Sequence, residues 1–256
     1  MVALAELLQL INANLWHGFT VFLRVAPLVS LLPAFGEQSV PVRIKLAIVV
    51  AFVLIVAPAV APTSSVPTLD TVTWLSLTEI LSGLILGLGI RMFVLALQTA
   101  GSIAAQSTSL SQILGGAVAD PLPALGYTLI IGGMALAVMA GLHVKAASLI
   151  ILSYDMLPMG RLPDGSVVSS WGVAQIRHAF ELAFTLAAPF VIVSVLYNLV
   201  LGAINKAMPQ LMVAFVGAPL ITFAGLFLLF LAAPMILTVW LSALDGFMAR
   251  PFQVAP

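Results

Sequence analysis

The chain has 256 residues, of which 62% are hydrophobic and only 7% charged, with nine Lys/Arg balanced by nine Asp/Glu. A soluble domain is about a quarter charged; this chain cannot cover a water-facing surface, and its solvent is a bilayer. Zero net charge leaves no electrostatic footprint for nucleic acid, and the absence of Cys removes disulfides, thiolate metal sites and thiol chemistry.

Met1 to Asn14 reads as a short amphipathic lead-in helix, with Leu4, Leu7, Leu8 and Ile11 on one face. It has no basic leading region, so it is not expected to be a secretory signal. The first long apolar segment is Trp16 to Leu32, with Arg24 in mid-span and Pro27 after it. A charge at bilayer depth costs at least about 2.5 kcal/mol, so Arg24 is expected to face protein, water or a partner. Pro33 to Gly36 breaks the helix, and Glu37 to Lys45 is a short polar connection.

Leu46 to Ala61 is apolar and contains Pro58; Pro62 to Thr73 is a Pro/Ser/Thr loop, from which Thr73 is expected to cap the next helix. The third segment, Trp74 to about Ala100, carries Glu79, Arg91 and the small residues Gly83, Gly87 and Gly89, with Gly101 just beyond. The Gly83-x-x-x-Gly87 spacing gives a flat face for close backbone approach. Glu79 and Arg91 lie roughly 18 Å apart along a helix axis, so each needs a partner from another element.

Gln106 to Asp120 is a polar but uncharged run in the midst of hydrocarbon: Gln106, Ser107, Thr108, Ser109, Ser111 and Gln112 are neutral, and Leu110, Ile113 and Leu114 are apolar. Gly115 and Gly116 permit backbone conformations other residues avoid. One reading is a loop joining two helices at an aqueous surface. The other is irregular backbone at membrane depth, tolerated where it lines a cavity or is buried in protein.

The fourth segment is Tyr127 to Ile151, holding His143 and Lys145. Ser153 to His178 is the longest charged stretch, and Leu162-Pro163-Asp164-Gly165 is its turn signal. The fifth segment, Phe180 to Ile204, starts with Glu181 and contains Pro189. Leu211 to Leu244, divided by Pro219 and Pro234, is expected to form a helix, a bend and a second helix.

These features predict an all-α membrane protein of about six apolar segments, a single integral-membrane domain over residues 1–256. Arg43, Lys45 and Lys206 would fall on one side and Arg161, Arg177 and Arg250 on the other, so the positive-inside rule gives no orientation. No nucleophile elbow, phosphate loop, metal-ligand spacing or carboxylate run is present, and His17, His143 and His178 are far apart. The chain is not expected to be an enzyme or to hold a cofactor or metal. Its polar levers are Arg24, Glu79, Arg91, Lys145 and Glu181. They read either as part of an ion pathway or as buried ion pairs fixing contacts between helices or subunits, and the lack of several mid-membrane carboxylates favours the second.

In order along the chain stand Leu23-Arg24-Val25-Ala26-Pro27 with Pro33-Ala34-Phe35-Gly36, then Val40-Pro41-Val42-Arg43-Ile44-Lys45. Gly83 to Gly87 with Arg91, Gln98-Thr99-Ala100-Gly101, Asp120-Pro121, Asn205 to Gln210 and Gly217-Ala218-Pro219 follow. This ordered set resembles the FliR family of flagellar biosynthesis proteins and its virulence-secretion counterpart SctT, subunits of the type III export gate. The resemblance implies helices arranged as kinked hairpins within a multi-subunit helical assembly in the bacterial inner membrane, at the flagellar basal body. It implies FliP-like and FliQ-like partner subunits, contact with an FlhB-like subunit, membrane lipid around the assembly, and unfolded protein substrates passing through a shared channel. It also implies that the loop between the third and fourth segments plugs the closed pore. By position that is Gln106, Ser109, Leu110, Ile113, Leu114, Gly115, Gly116, Asp120 and Pro121, with no aromatic residue among them. A virulence-type secretion subunit, a self-contained small-molecule transporter and a membrane scaffold are the alternatives.

Overall fold

A computed structural model describes residues 2–62, 68–109, 124–208 and 213–252. Among them the secondary structure is helical throughout: α1 Val2–Leu31, α2 Val42–Val56 with a 3-10 turn Ala57–Ala59, α3 Leu69–Ser109, α4 Ala124–Met139, α5 Leu142–Met156, α6 Gly165–Ala207 and α7 Val213–Ala249. Among the described residues, four helices are long and apolar enough to cross a membrane, at Val42–Ala59, Leu69–Ser107, Gly165–Ala207 and Phe223–Ala249; the bent pair α4–α5 would make a fifth. The chain is an all-α membrane protein.

Several boundaries differ from those the sequence suggested. The lead-in helix and the first apolar segment are one helix, α1, which runs through Pro27. α7 likewise continues through Pro219 and Pro234, where a bend was expected. A proline removes one intrahelical hydrogen bond, whereas ending a helix in hydrocarbon would leave several backbone groups without partners. α3 begins at Leu69, where Thr68 and Thr71 bond each other's backbone and hydroxyl groups. Thr73 therefore lies inside the helix and donates to the Asp70 carbonyl at 3.0 Å. The fourth segment is two helices, broken where Gly141 takes the left-handed conformation (φ +82°) that costs glycine nothing. α6 starts at Gly165, not Phe180: the Asp164 carboxylate accepts from the Ser166 N–H (2.8 Å) and hydroxyl (2.7 Å) and caps it.

The helices pack into two compact units whose boundaries fall inside helices. The first comprises Met1–Arg91, Val138–Gln175 and Asp245–Pro256. Its core holds Val25 and Leu28 of α1, Leu32 just past its end, Leu86 and Ile90 of α3 and Leu149 of α5, all fully buried. Trp171 of α6 packs against Phe247 and Phe252 and donates its indole N–H to the Pro251 carbonyl at 2.8 Å. The second unit comprises Met92–Ala137 and Ile176–Leu244. There Trp240 of α7 is fully buried and donates to the Phe93 carbonyl of α3 at 2.8 Å. α3 is the helix most enclosed by its own chain: 56% of its most apolar stretch is buried, against 17–22% for the other three spanning helices. Those three leave most of their apolar surface uncovered.

Candidate functional site

The buried charges come first, because each has to be neutralised or the fold fails. Arg24 of α1 and Glu79 of α3 are fully buried, with Arg24 Nε donating to Glu79 Oε2 at 2.8 Å. The rest of the guanidinium is also used. Nη1 donates to Ser153 Oγ at 3.1 Å and Nη2 to the Leu157 carbonyl at 2.9 Å. Its Cζ lies 3.8 Å from the centre of the Tyr154 ring, a cation–π contact. The second Glu79 oxygen accepts the Gly160 N–H at 3.1 Å. Gly160 sits at φ +74°, and its carbonyl accepts from the Trp74 indole at 2.9 Å. One ion pair thus joins α1, α3, α5 and the turn after α5, with nearly every polar atom satisfied within the chain. Arg24 and Glu79 were expected to fix contacts between helices or subunits; within this chain the pair joins helices.

The remaining charges are more open. Arg91 Nη1 meets Glu37 Oε1 at 2.6 Å, with the two side chains 30% and 23% exposed. Lys145 Nζ is shared between both Asp245 oxygens at 2.7 and 2.8 Å. Glu181 differs from the buried group expected from sequence. It is exposed and pairs with Arg177 one turn earlier on α6, where a short-range helical pair satisfies both charges without burial. Among the described residues, no group of three or more His, Asp or Glu side chains could hold a metal. His17 Nε2 bonds the Ala57 carbonyl at 2.9 Å, and His178 packs edge-on to Phe93.

The four glycines singled out in sequence sit at close approaches. A Cβ on Gly83 would overlap the Arg24 carbonyl of α1, and one on Gly87 would meet Leu31 at 2.9 Å and the Leu28 backbone at 3.2 Å. This small-residue face is what lets α3 approach α1 closely enough for Arg24 and Glu79 to pair. Gly89 faces the Phe247 ring and Trp171 instead. Gly101 touches the Gly126 backbone, where α3 crosses α4.

Of the expected plug residues, Gln106 and Ser109 lie within α3, so the helix runs further into the polar run than expected. Leu110, Ile113, Leu114, Gly115, Gly116, Asp120 and Pro121 lie outside the described residues. The Ser194 hydroxyl of α6 donates to the Ser107 carbonyl of α3, and Asn198 Nδ2 donates to Ser194 Oγ at 3.3 Å. Sequence reasoning passed over Ser194 and Asn198, as well as Glu37, Asp245, Ser153 and Tyr154. The carboxylates were findable in principle, because nine acidic residues are the full set available to the buried cations.

A family model described as bacterial export proteins, family 1, matches residues 15–247. The flagellar biosynthetic protein FliR of Caulobacter vibrioides is 33% identical over 224 residues, covering 86% of this chain and 89% of that protein. The FliR proteins of Escherichia coli K12 and Bacillus subtilis 168 are 29% and 25% identical, over 85% and 78% of this chain and 84% and 79% of theirs.

Proposed function

The chain belongs to family 1 of the bacterial export proteins, and on that footing we propose that it is a non-catalytic subunit of the flagellar protein export gate in the bacterial cytoplasmic membrane. The observation that carries this reading is the near full-length similarity to flagellar FliR proteins from distant bacteria. The fold agrees in kind. A small-solute transporter would be expected to enclose a polar site at the midplane of its own bundle, whereas three of the four spanning helices here leave most of their apolar stretch uncovered. Such surface is suited to similar helices of partner subunits, proposed to be FliP-like and FliQ-like, with an FlhB-like subunit alongside.

In this reading unfolded flagellar substrates pass through a channel the subunits form together. The neutral run from Gln106 to Ala119 closes that channel between substrates. Absence of formal charge from Gln106 to Ala119 suits a segment that must leave water without a large desolvation cost. Leu110, Ile113 and Leu114 would supply the seal.

Co-purification in mild detergent tests the assembly: a stoichiometric complex with other small apolar subunits is expected, and a monomer with proton-coupled solute flux would overturn the proposal. Deleting residues 110–116 tests the plug. The assembled gate is expected to leak ions, and a tight, fully assembled deletion would refute the plugging role while leaving gate membership standing. Secretion of flagellar rather than virulence substrates distinguishes the two systems.

A further inference from the structure

α1 ends at Leu31 and α2 begins at Val42, and the connection between them is tightly folded. The Phe35 N–H donates to the Pro33 carbonyl at 2.9 Å, and Ala34 between them has φ +66°. A three-residue turn of this hand is rare and strained. The left-handed region crowds the Cβ of an alanine and costs a glycine nothing. Among the described residues Ala34 is the one non-glycine with positive φ. Further bonds hold the turn in place. The Gly36 N–H donates to the Leu32 carbonyl at 2.8 Å, and the Gly36 carbonyl accepts from Lys45 Nζ of α2 at 2.8 Å. A Cβ on Gly36 would overlap the Ser30 carbonyl, so the connection lies directly against the end of α1. One residue further on, Glu37 pairs with Arg91 of α3.

Backbone strain persists only where the surroundings over-determine it. Here two cations from two different helices, Lys45 and Arg91, hold the strained connection. The Glu37–Arg91 pair is half-exposed, unlike the enclosed pair of Arg24 and Glu79. α2 is loosely packed at this end. Its buried residues, Val49, Phe52 and Val56, lie from its middle onward, and His17 bonds the Ala57 carbonyl just past its far end. Val42, Ile44 and Leu46, in its first turns, are each more than half exposed.

We propose that the Pro33–Pro41 connection is a strained hinge, held closed by Lys45 and Arg91, about which residues 42–48 of α2 move when the Glu37–Arg91 pair opens. Ala34 then returns to an ordinary negative φ, and the strain released favours the open form. Hinges are commonly such element-terminal positions, where a few residues absorb a large backbone change. Any group that competes for Glu37 or Arg91 releases the hinge, with no covalent step. The hinge belongs to the chain whether or not the chain is part of a gate.

The chain has no cysteine, so Leu46→Cys and Leu77→Cys, at two exposed positions, take spin labels at those sites alone. The distance between the labels is measured on the full chain in mild detergent. One dominant distance is expected in the otherwise wild-type protein. Arg91→Gln should raise the population of a second distance by up to about five-fold. High salt, which screens a half-exposed pair, should act in the same direction without a substitution. Adding Ala34→Gly to Arg91→Gln removes the strain and should cut the second population roughly five- to thirty-fold. Ala34→Gly alone should raise the unfolding midpoint, whereas Ala51→Gly, the same change at an exposed helical position, should lower it. A single unchanged distance in Arg91→Gln and at high salt overturns the hinge. Equal second populations with and without Ala34→Gly overturn strain as its drive. A midpoint lowered by Ala34→Gly as it is by Ala51→Gly shows an unstrained Ala34 and overturns the proposal too. If Arg91→Gln does not fold, a salt series on the wild type and on Ala34→Gly makes the same comparison.

Discussion

Arg24 and Glu79, 55 residues apart in sequence, meet at 2.8 Å with neither side chain exposed. Removing one member of such a pair strands a buried charge, at a cost of about 3–5 kcal/mol. Arg24→Ala and Glu79→Ala should therefore sharply lower the yield of folded protein and its unfolding midpoint in mild detergent. Glu79→Gln keeps an acceptor for the Gly160 N–H and should lose less. The double variant Arg24→Leu with Glu79→Leu should recover only part, because the Leu157 carbonyl and the Gly160 N–H then lose their partners, at about 1–3 kcal/mol each. A Glu79→Ala protein with the wild-type midpoint would contradict the pairing.

The glycines separate by what their missing methyl would meet. Gly83→Ala would press a methyl into the Arg24 backbone carbonyl, which cannot swing aside, so a loss of about 1–3 kcal/mol or more is expected. Gly202 has nothing within 4 Å, and Gly202→Ala should stabilise the isolated chain by up to about 1 kcal/mol through helix propensity alone. Thermal melts of the two variants in one detergent should shift in opposite directions.

Among the ion pairs, the cost of truncation should follow enclosure. Arg177 and Glu181 sit on an exposed face, so Arg177→Ala should cost about 0.3–0.5 kcal/mol at most. That is well below the loss at Arg24, and a comparable drop in midpoint for both would show that enclosure is not what matters.

The Asp164 carboxyl is held below its usual range by the Ser166 hydroxyl first and the Ser166 N–H second. A carboxyl depressed in the folded state contributes stability that is complete above the unfolded value, near 3.9. That contribution fades as pH falls through the lower folded value. Asp164→Asn keeps a good capping residue and should leave the midpoint at neutral pH nearly unchanged. It should also flatten the acid-side dependence. An acid-side profile identical to wild type would exclude Asp164 as a contributor.

Helical class and membrane solvent were legible because hydrophobic length and the scarcity of charge determine them directly. The need of Arg24 and Glu79 for partners was legible for the same reason. Their mutual pairing was not, since sequence spacing constrains only contacts within one helix and the two lie on different helices. The breaks were misjudged in both directions. Pro219 and Pro234 look like ends, yet α7 passes through them, because hydrocarbon penalises open backbone more than a lost bond. Gly141 looks like one small residue among several, yet its left-handed backbone divides the fourth segment. Ser194 carried no signal at all, being an ordinary serine in an apolar helix until Ser107 is placed beside it.

The distance between Arg24 and Glu79 along the chain also sets a timetable. At roughly 5–20 residues per second of synthesis, Glu79 follows Arg24 by on the order of 3 to 11 s, and Gly160 comes later still. For that interval the newborn first helix holds a cation without its counter-ion, and the buried pair can form only once the third helix has been made, so that part of the order of assembly is written into the pair.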